Sequence, residues 1–155
     1  MSLQSCHRLP EADCLENLFS HGVIGITGNG FDIGAHIEAV KQPTTGAVVT
    51  FLGVVRDDGI ECLEVEAWEE VALEDMHAIR EEAGTKFDLQ DVTIIHRIGK
   101  LAVGEPILLI VVSSGHRKQA FRGCEYILER IKEQAPFWKR EYVGDQDRWV
   151  PGNRE

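Results

Sequence analysis

The stretch Pro106-Ile107-Leu108-Leu109-Ile110-Val111-Val112-Ser113-Ser114-Gly115-His116-Arg117-Lys118 decides the fold. Its first seven residues form a continuous apolar run of strand length. A strand without polar alternation is covered on both faces, so this one belongs inside a sheet. Ser113-Ser114-Gly115 interrupts the run. Phe121, Cys124, Leu128 and Ile131 then recur at helical spacing, with Ala120 and Ile127 beside them, and Pro136 ends that helix. A covered strand feeding directly into an amphipathic helix implies a sheet with helices laid on it.

Upstream segments extend this picture. Val92 to Ile98 reads as a second strand, joined to the first through a Gly99–Gly104 connection. Ala72, Met76, Ile79 and Ala83 fall at i, i+4, i+7 and i+11, an amphipathic helix with Gly84 expected just past its end. Gly46 to Val55 is rich in β-branched residues. After the turn Asp57-Asp58-Gly59 the chain alternates from Ile60 to Trp68, so the two runs read as a β-hairpin. Val23 to Thr27 is a short strand, and Asp32 is placed to cap a helix that reaches about Lys41 before Pro43. Gly144 to Pro151 ends the pattern with a short strand or extended tail. The class is therefore α+β, with helices packed on a mostly antiparallel sheet. Residues 1–21 are polar and lack clear periodicity, which reads as an N-terminal extension ahead of a single domain over 22–155.

Composition limits the function. At 155 residues the chain supports one core. No apolar run approaches the roughly 20 residues that span a bilayer, and the N-terminus lacks a secretory apolar core. Cys6, Cys14, Cys62 and Cys124 are spaced neither for zinc nor for a disulfide framework. Reduced thiols in a cytoplasmic protein, with no metal and no cofactor, are the expectation. A net charge of −10 argues against a nucleic-acid binder. The charge is uneven: Asp57 to Asp91 holds thirteen acids and two cations, whereas Arg117 to Arg140 holds seven cations and three acids. An acidic chain that gathers its cations in one segment is suited to binding a small anion there. Phosphate loops, dinucleotide fingerprints and serine-hydrolase elbows are missing from the sequence.

Three segments carry the chemistry. Arg56 follows the strand Gly46–Val55, where a guanidinium at a sheet rim can grip a phosphate or carboxylate. His116, Arg117 and Lys118 crowd a helix N-terminus, where the dipole disfavours cations and free N–H groups favour an anion. Pro136-Phe137-Trp138-Lys139-Arg140 sets two aromatics beside two cations just after a helix stop, close to Lys132 in the last helical turn. An apolar wall with a charged rim suits a small-molecule or peptide-tail pocket. A partly desolvated lysine among other cations has a lowered pKa and can serve as a base or nucleophile near neutral pH.

In this order the chain carries Gly46-Ala-Val-Val-Thr-Phe-Leu-Gly-Val-Val-Arg56, Ile95-His-Arg-Ile-Gly-Lys-Leu101, Ser114-Gly-His-Arg117, Ala135-Pro-Phe-Trp-Lys-Arg-Glu141 and Asp147-Arg-Trp149. The set resembles the MoaE family, the large catalytic subunits of molybdopterin synthase, from about Val23 to Trp149. The resemblance implies an α/β hammerhead-like fold with an additional small antiparallel sheet. It also implies a cytoplasmic homodimer in which each chain binds a small ubiquitin-like subunit. That partner's Gly-Gly tail ends in a thiocarboxylate and donates sulfur to cyclic pyranopterin monophosphate, giving the molybdopterin dithiolene. Carried over by position, Lys132 and Lys139 are the catalytic lysines, and Arg56, His116 and Arg117 bind the anionic substrate. Arg148 reaches the neighbouring subunit's pocket, while Phe137, Trp138 and Arg140 hold the partner's tail. The chain departs from the family pattern in its short Asp57-Asp58-Gly59 turn and in Glu66-Ala67-Trp68, where members commonly carry Glu-His-Tyr. A non-catalytic module that binds a ubiquitin-like tail is the competing reading of the same residues.

Overall fold

A computed structural model describes residues 21–151. The expected extension at 1–21 lies outside the described residues, apart from His21. Strands β1 (Ile24–Thr27), β2 (Ala47–Val54), β4 (Leu89–Arg97) and β6 (Pro106–Ser114) form one sheet in the order β1-β4-β6-β2. The apolar run therefore lies inside the sheet, and Leu109 to Val112 are fully covered. β1 pairs with β4 in parallel, and every other pairing is antiparallel. Helices α2 (Glu69–Phe87) and α3 (Arg117–Gln134) cover one face over Ile94, Leu108, Ile110 and Val112. Helix α1 (Ile33–Ala39), capped by the Asp32 carboxylate on Ala35 N–H, covers the other face over Ile95, Leu109 and Val111.

A second antiparallel sheet has the order β5-β3-β7-β8, from β5 (Gly99–Ala102), β3 (Cys62–Ala67), β7 (Phe137–Val143) and β8 (Gln146–Val150). The Gly46–Val55 and Ile60–Trp68 runs therefore do not form the expected hairpin. β2 pairs with β6, and β3 crosses to the second sheet. The reason is burial: Leu63 and Val65 belong to a separate cluster with Val55, Ile60, Leu101 and Ile107. Phe137 packs against both this cluster and the main core, which joins the sheets.

Three further expectations are corrected. Gly84 lies within α2, and the left-handed residue that ends the helix is Asp88, with φ 54°. The helix continues because Phe87 packs on Tyr126 of α3 at 5.3 Å. Phe121 is 62% exposed, and Gly123 takes its place on the buried face of α3, where the missing side chain makes room for Leu89. The 99–104 connection contains β5, and the segment after Pro136 is the strand β7. Among the described residues, no helix is long and apolar enough to cross a membrane.

Candidate active site

The two lysines meet where α3 ends and β7 begins. Lys132 occupies the last turn of α3, and Ala135-Pro136 carries the chain directly into β7. Strand parity then sorts the side chains. Lys139 lies opposite the buried Val65 on one side and Val150 on the other, and Glu141 lies opposite Leu63 and Arg148. Phe137, Lys139 and Glu141 thus form one row on the covered face. Burial pushes the Lys139 ammonium below its ordinary pKa, and the charge of Lys132 pushes it further. Among the described residues neither lysine has a carboxylate partner within salt-bridge distance. Glu141 is the acid nearest to Lys139 along its row. It is 5% exposed and is engaged by the Arg148 Nε at 2.7 Å. Arg148 thereby engages the buried carboxylate of that row.

A histidine with no role assigned from the sequence completes this end of the molecule. His96, in β4, is 4% exposed, and its ring stacks on Phe137 with centroids 3.7 Å apart and planes 10° apart. Its Nδ1 lies 2.9 Å from the Arg97 carbonyl oxygen. A carbonyl only accepts, so Nδ1 carries the proton and donates it. Burial pushes the ring's pKa down to about 4, against the pull of that carbonyl and with help from the Lys139 charge. The imidazole is therefore neutral at physiological pH. The sequence signal was a histidine inside the apolar strand Ile94-Ile95-His96, but its contact with Phe137 is made by residues 41 positions apart in the chain.

Arg56 stands at the same end of the first sheet. It follows Val55, which packs in the cluster with Val65. Its guanidinium is 80% exposed and bonds the Asp58 carboxylate through Nε at 2.9 and 3.0 Å. Such an exposed pair contributes little and yields readily to a better anion.

His116 and Arg117 stand elsewhere. They open α3, both exposed, with no side-chain cap at the helix start. The fifteen steps from Arg117 to Lys132 span about 22 Å at 1.5 Å per residue. One chain therefore presents two separate cationic regions, one at each end of α3. Trp138 and Arg140 are set apart as well. Neighbours of Phe137 in the sequence, they point to the opposite face of β7. There Arg140 lies over the Trp149 ring at 4.1 Å and pairs with Asp147 at 3.4 Å. Trp138 is 48% exposed.

Cys124 does not compete for this site. Cys124 is buried in the helix layer, and burial raises its pKa to about 11, which keeps it protonated.

A family model described as MoaE protein matches residues 26–134. The molybdopterin synthase catalytic subunit of Pyrococcus abyssi (strain GE5 / Orsay) is 42% identical over 128 residues, covering 80% of this chain and 86% of that protein. The X-ray crystal structure of molybdopterin synthase from Staphylococcus aureus matches with a TM-score of 0.77 and 38% identity, over 81% of this chain and 95% of that one. The same fold recurs, at a TM-score of 0.72 and 23% identity, in a complex of subunits 1 and 2 of molybdopterin-converting factor from Helicobacter pylori 26695. That match covers 82% of this chain and 89% of the other.

Proposed function

The chain belongs to the MoaE family, and from that membership we infer that it is a molybdopterin synthase catalytic subunit, a sulfur-transferring enzyme. The sulfur comes from the thiocarboxylated tail of a small ubiquitin-like partner, and the acceptor is cyclic pyranopterin monophosphate. The geometry supports a role for each residue. Lys139 is the proton-transferring residue, because it is half-buried, is paired with no carboxylate among the described residues and has another cation as its charged neighbour. Forming two carbon–sulfur bonds requires protons at the departing oxygens, which suits an amine whose pKa has moved toward neutrality. Lys132 depresses that pKa and supplies positive charge for the anionic tail. Arg56 exchanges Asp58 for a substrate anion, and Arg148 stands in the same row as Lys139. The single observation that carries this reading is the Lys132–Lys139 juxtaposition beside a neutral, buried wall.

His116 and Arg117 bind substrate from a second copy of the chain. On one chain they stand too far from Lys139 to touch the same small molecule. A homodimer places the α3 start of one copy at the α3 end of the other, and two-fold symmetry makes both sites equivalent. Two anionic reactants are then gathered by cations from two chains, which offsets their mutual repulsion. The enzyme works in the cytoplasm, where its thiols stay reduced.

Reconstitution tests the reading. The full chain is mixed with thiocarboxylated small subunit and cyclic pyranopterin monophosphate, and the dithiolene product is measured. Lys139→Ala should lower the rate by about a hundredfold or more while leaving the two-protein complex intact. A loss of complex formation in proportion to the loss of product would favour the non-catalytic tail-binding module instead.

A further inference from the structure

We propose that His96 is a positioning residue for Lys139: its ring, stacked on Phe137 and pinned through Nδ1 to the Arg97 carbonyl, forms the uncharged wall that keeps water from the amine and fixes the strand that carries it. The inference deepens the reading of Lys139 as the proton-transferring residue and rests on it.

Three observations support it. The stack is close and nearly parallel, at 3.7 Å and 10°. Phe137 and Lys139 are two residues apart on the same face of β7, so a ring flat against the first borders the second. The ring's orientation is fixed by a 2.9 Å hydrogen bond to its own strand's backbone, at a position that is 4% exposed. A buried polar side chain in a core strand has to be justified by what it holds, because a leucine there would bury more apolar surface without a polar atom to satisfy. Here the ring serves two sheets. β4 belongs to the first and β7 to the second, and the His96–Phe137 stack spans the seam just before Lys139.

The charged groups on the surrounding elements are few. Lys132 comes from the end of α3. Glu141 and Arg148 hold each other across β7 and β8 at 2.7 Å. Arg97 is turned the other way, with its Nη1 bonded to Glu105 and the Pro106 carbonyl and its Nη2 to the Gly28 carbonyl. β3 offers Val65 opposite Lys139, and β8 offers Val150. None of these supplies Lys139 with a free carboxylate, so removing the wall would exchange aromatic surface for water, the better solvent for an ammonium.

The test reads Lys139 directly. Trace acetic anhydride labelling of the full chain across pH, followed by peptide mass spectrometry, gives the titration midpoint of Lys139 without turnover. His96→Ala should raise that midpoint by about one pH unit. His96→Gln, which keeps an N–H donor but loses the ring, should also raise it, whereas His96→Phe, which keeps the wall, should leave it in place. In the reconstituted enzyme the alkaline limb of the kcat–pH profile, on which the proton-donating ammonium is lost, should move up with the midpoint. A purely architectural histidine would lower kcat equally at every pH. The proposal is overturned if Lys139 titrates alike in all four proteins, or if His96→Phe shifts it as far as His96→Gln. If His96→Ala does not fold, the Phe and Gln variants decide alone. Absence of product from the wild-type chain would sink the functional reading, whereas the labelling midpoints would still decide the role of His96.

Discussion

Glu141 and Arg148 face each other across the β7–β8 ladder, carboxylate to guanidinium at 2.7 Å, with the acid buried and the arginine about half exposed. The pair sits in the row that carries Lys139. Removing the arginine leaves a buried carboxylate without its partner, which costs about 1–3 kcal/mol. The freed charge then turns to the nearest cation. Arg148→Ala should destabilise the fold by that amount in urea unfolding and raise the Lys139 titration midpoint. Glu141→Gln should leave the midpoint low. Equal midpoints in the two variants would show that Glu141 does not reach the lysine.

Acid stability should report His96. Its folded pKa is about 4, against about 6.5 for an ordinary histidine. A neutral folded ring contributes its full stability above pH 6.5, and that contribution is lost as pH falls toward 4, because the unfolded chain takes up the proton first. The difference is about 3 kcal/mol at most. Comparing wild type with His96→Phe by urea unfolding at pH 7 and pH 4 isolates this contribution from the carboxylates. The gap between the two proteins should narrow or reverse at the lower pH. A constant gap would mean that the ring is protonated in the fold.

The other end of α3 depends on a glycine. A Cβ at Gly46 would stand 2.1 Å from the Gly115 carbonyl oxygen, beside the hydrogen bond from Gly46 N–H to Ser114. Backbone has to move to admit it. Gly46→Ala should cost about 1–3 kcal/mol, shift His116 and Arg117 with Gly115, and weaken substrate binding in equilibrium titrations. Unaltered substrate affinity in a destabilised protein would remove the α3 start from the site.

If sites are shared between copies, inactive variants should rescue one another. Co-expressed Lys139→Ala and Arg117→Ala chains form mixed dimers with one intact and one doubly defective site. Random pairing then restores about a quarter of wild-type activity in the reconstitution assay. Activity no greater than that of the two single variants would place both residues in the same chain's site.

Much of the fold was legible because its patterns are local. The apolar run of β6 and the Ala72–Met76–Ile79–Ala83 stripe read directly onto a covered strand and a helix face. The missed hairpin was not local. Two strands joined by Asp57-Asp58-Gly59 can pair with each other or part company, and the choice lay with the cluster around Val55, Val65 and Leu101, gathered from three distant segments. For the site, the cationic residues were legible by type and position. Their division by face and by helix end was not, because the β7 strand was not expected. Without a strand, Trp138, Lys139 and Arg140 look like neighbours; with one, they alternate. His96 was hidden for the related reason that a ring stack joins residues remote in sequence.

The two-residue period of β7 makes the length of that segment as binding as its composition. One amino acid added between Phe137 and Lys139 would turn Lys139 and Glu141 outward and bring Arg140 and Tyr142 against the core, inverting both surfaces without altering a single functional side chain. The same addition in the Gly144–Asp145 turn would leave β7 untouched and displace only the last strand. Variation in chain length among relatives should therefore collect at that turn and stop short of Pro136.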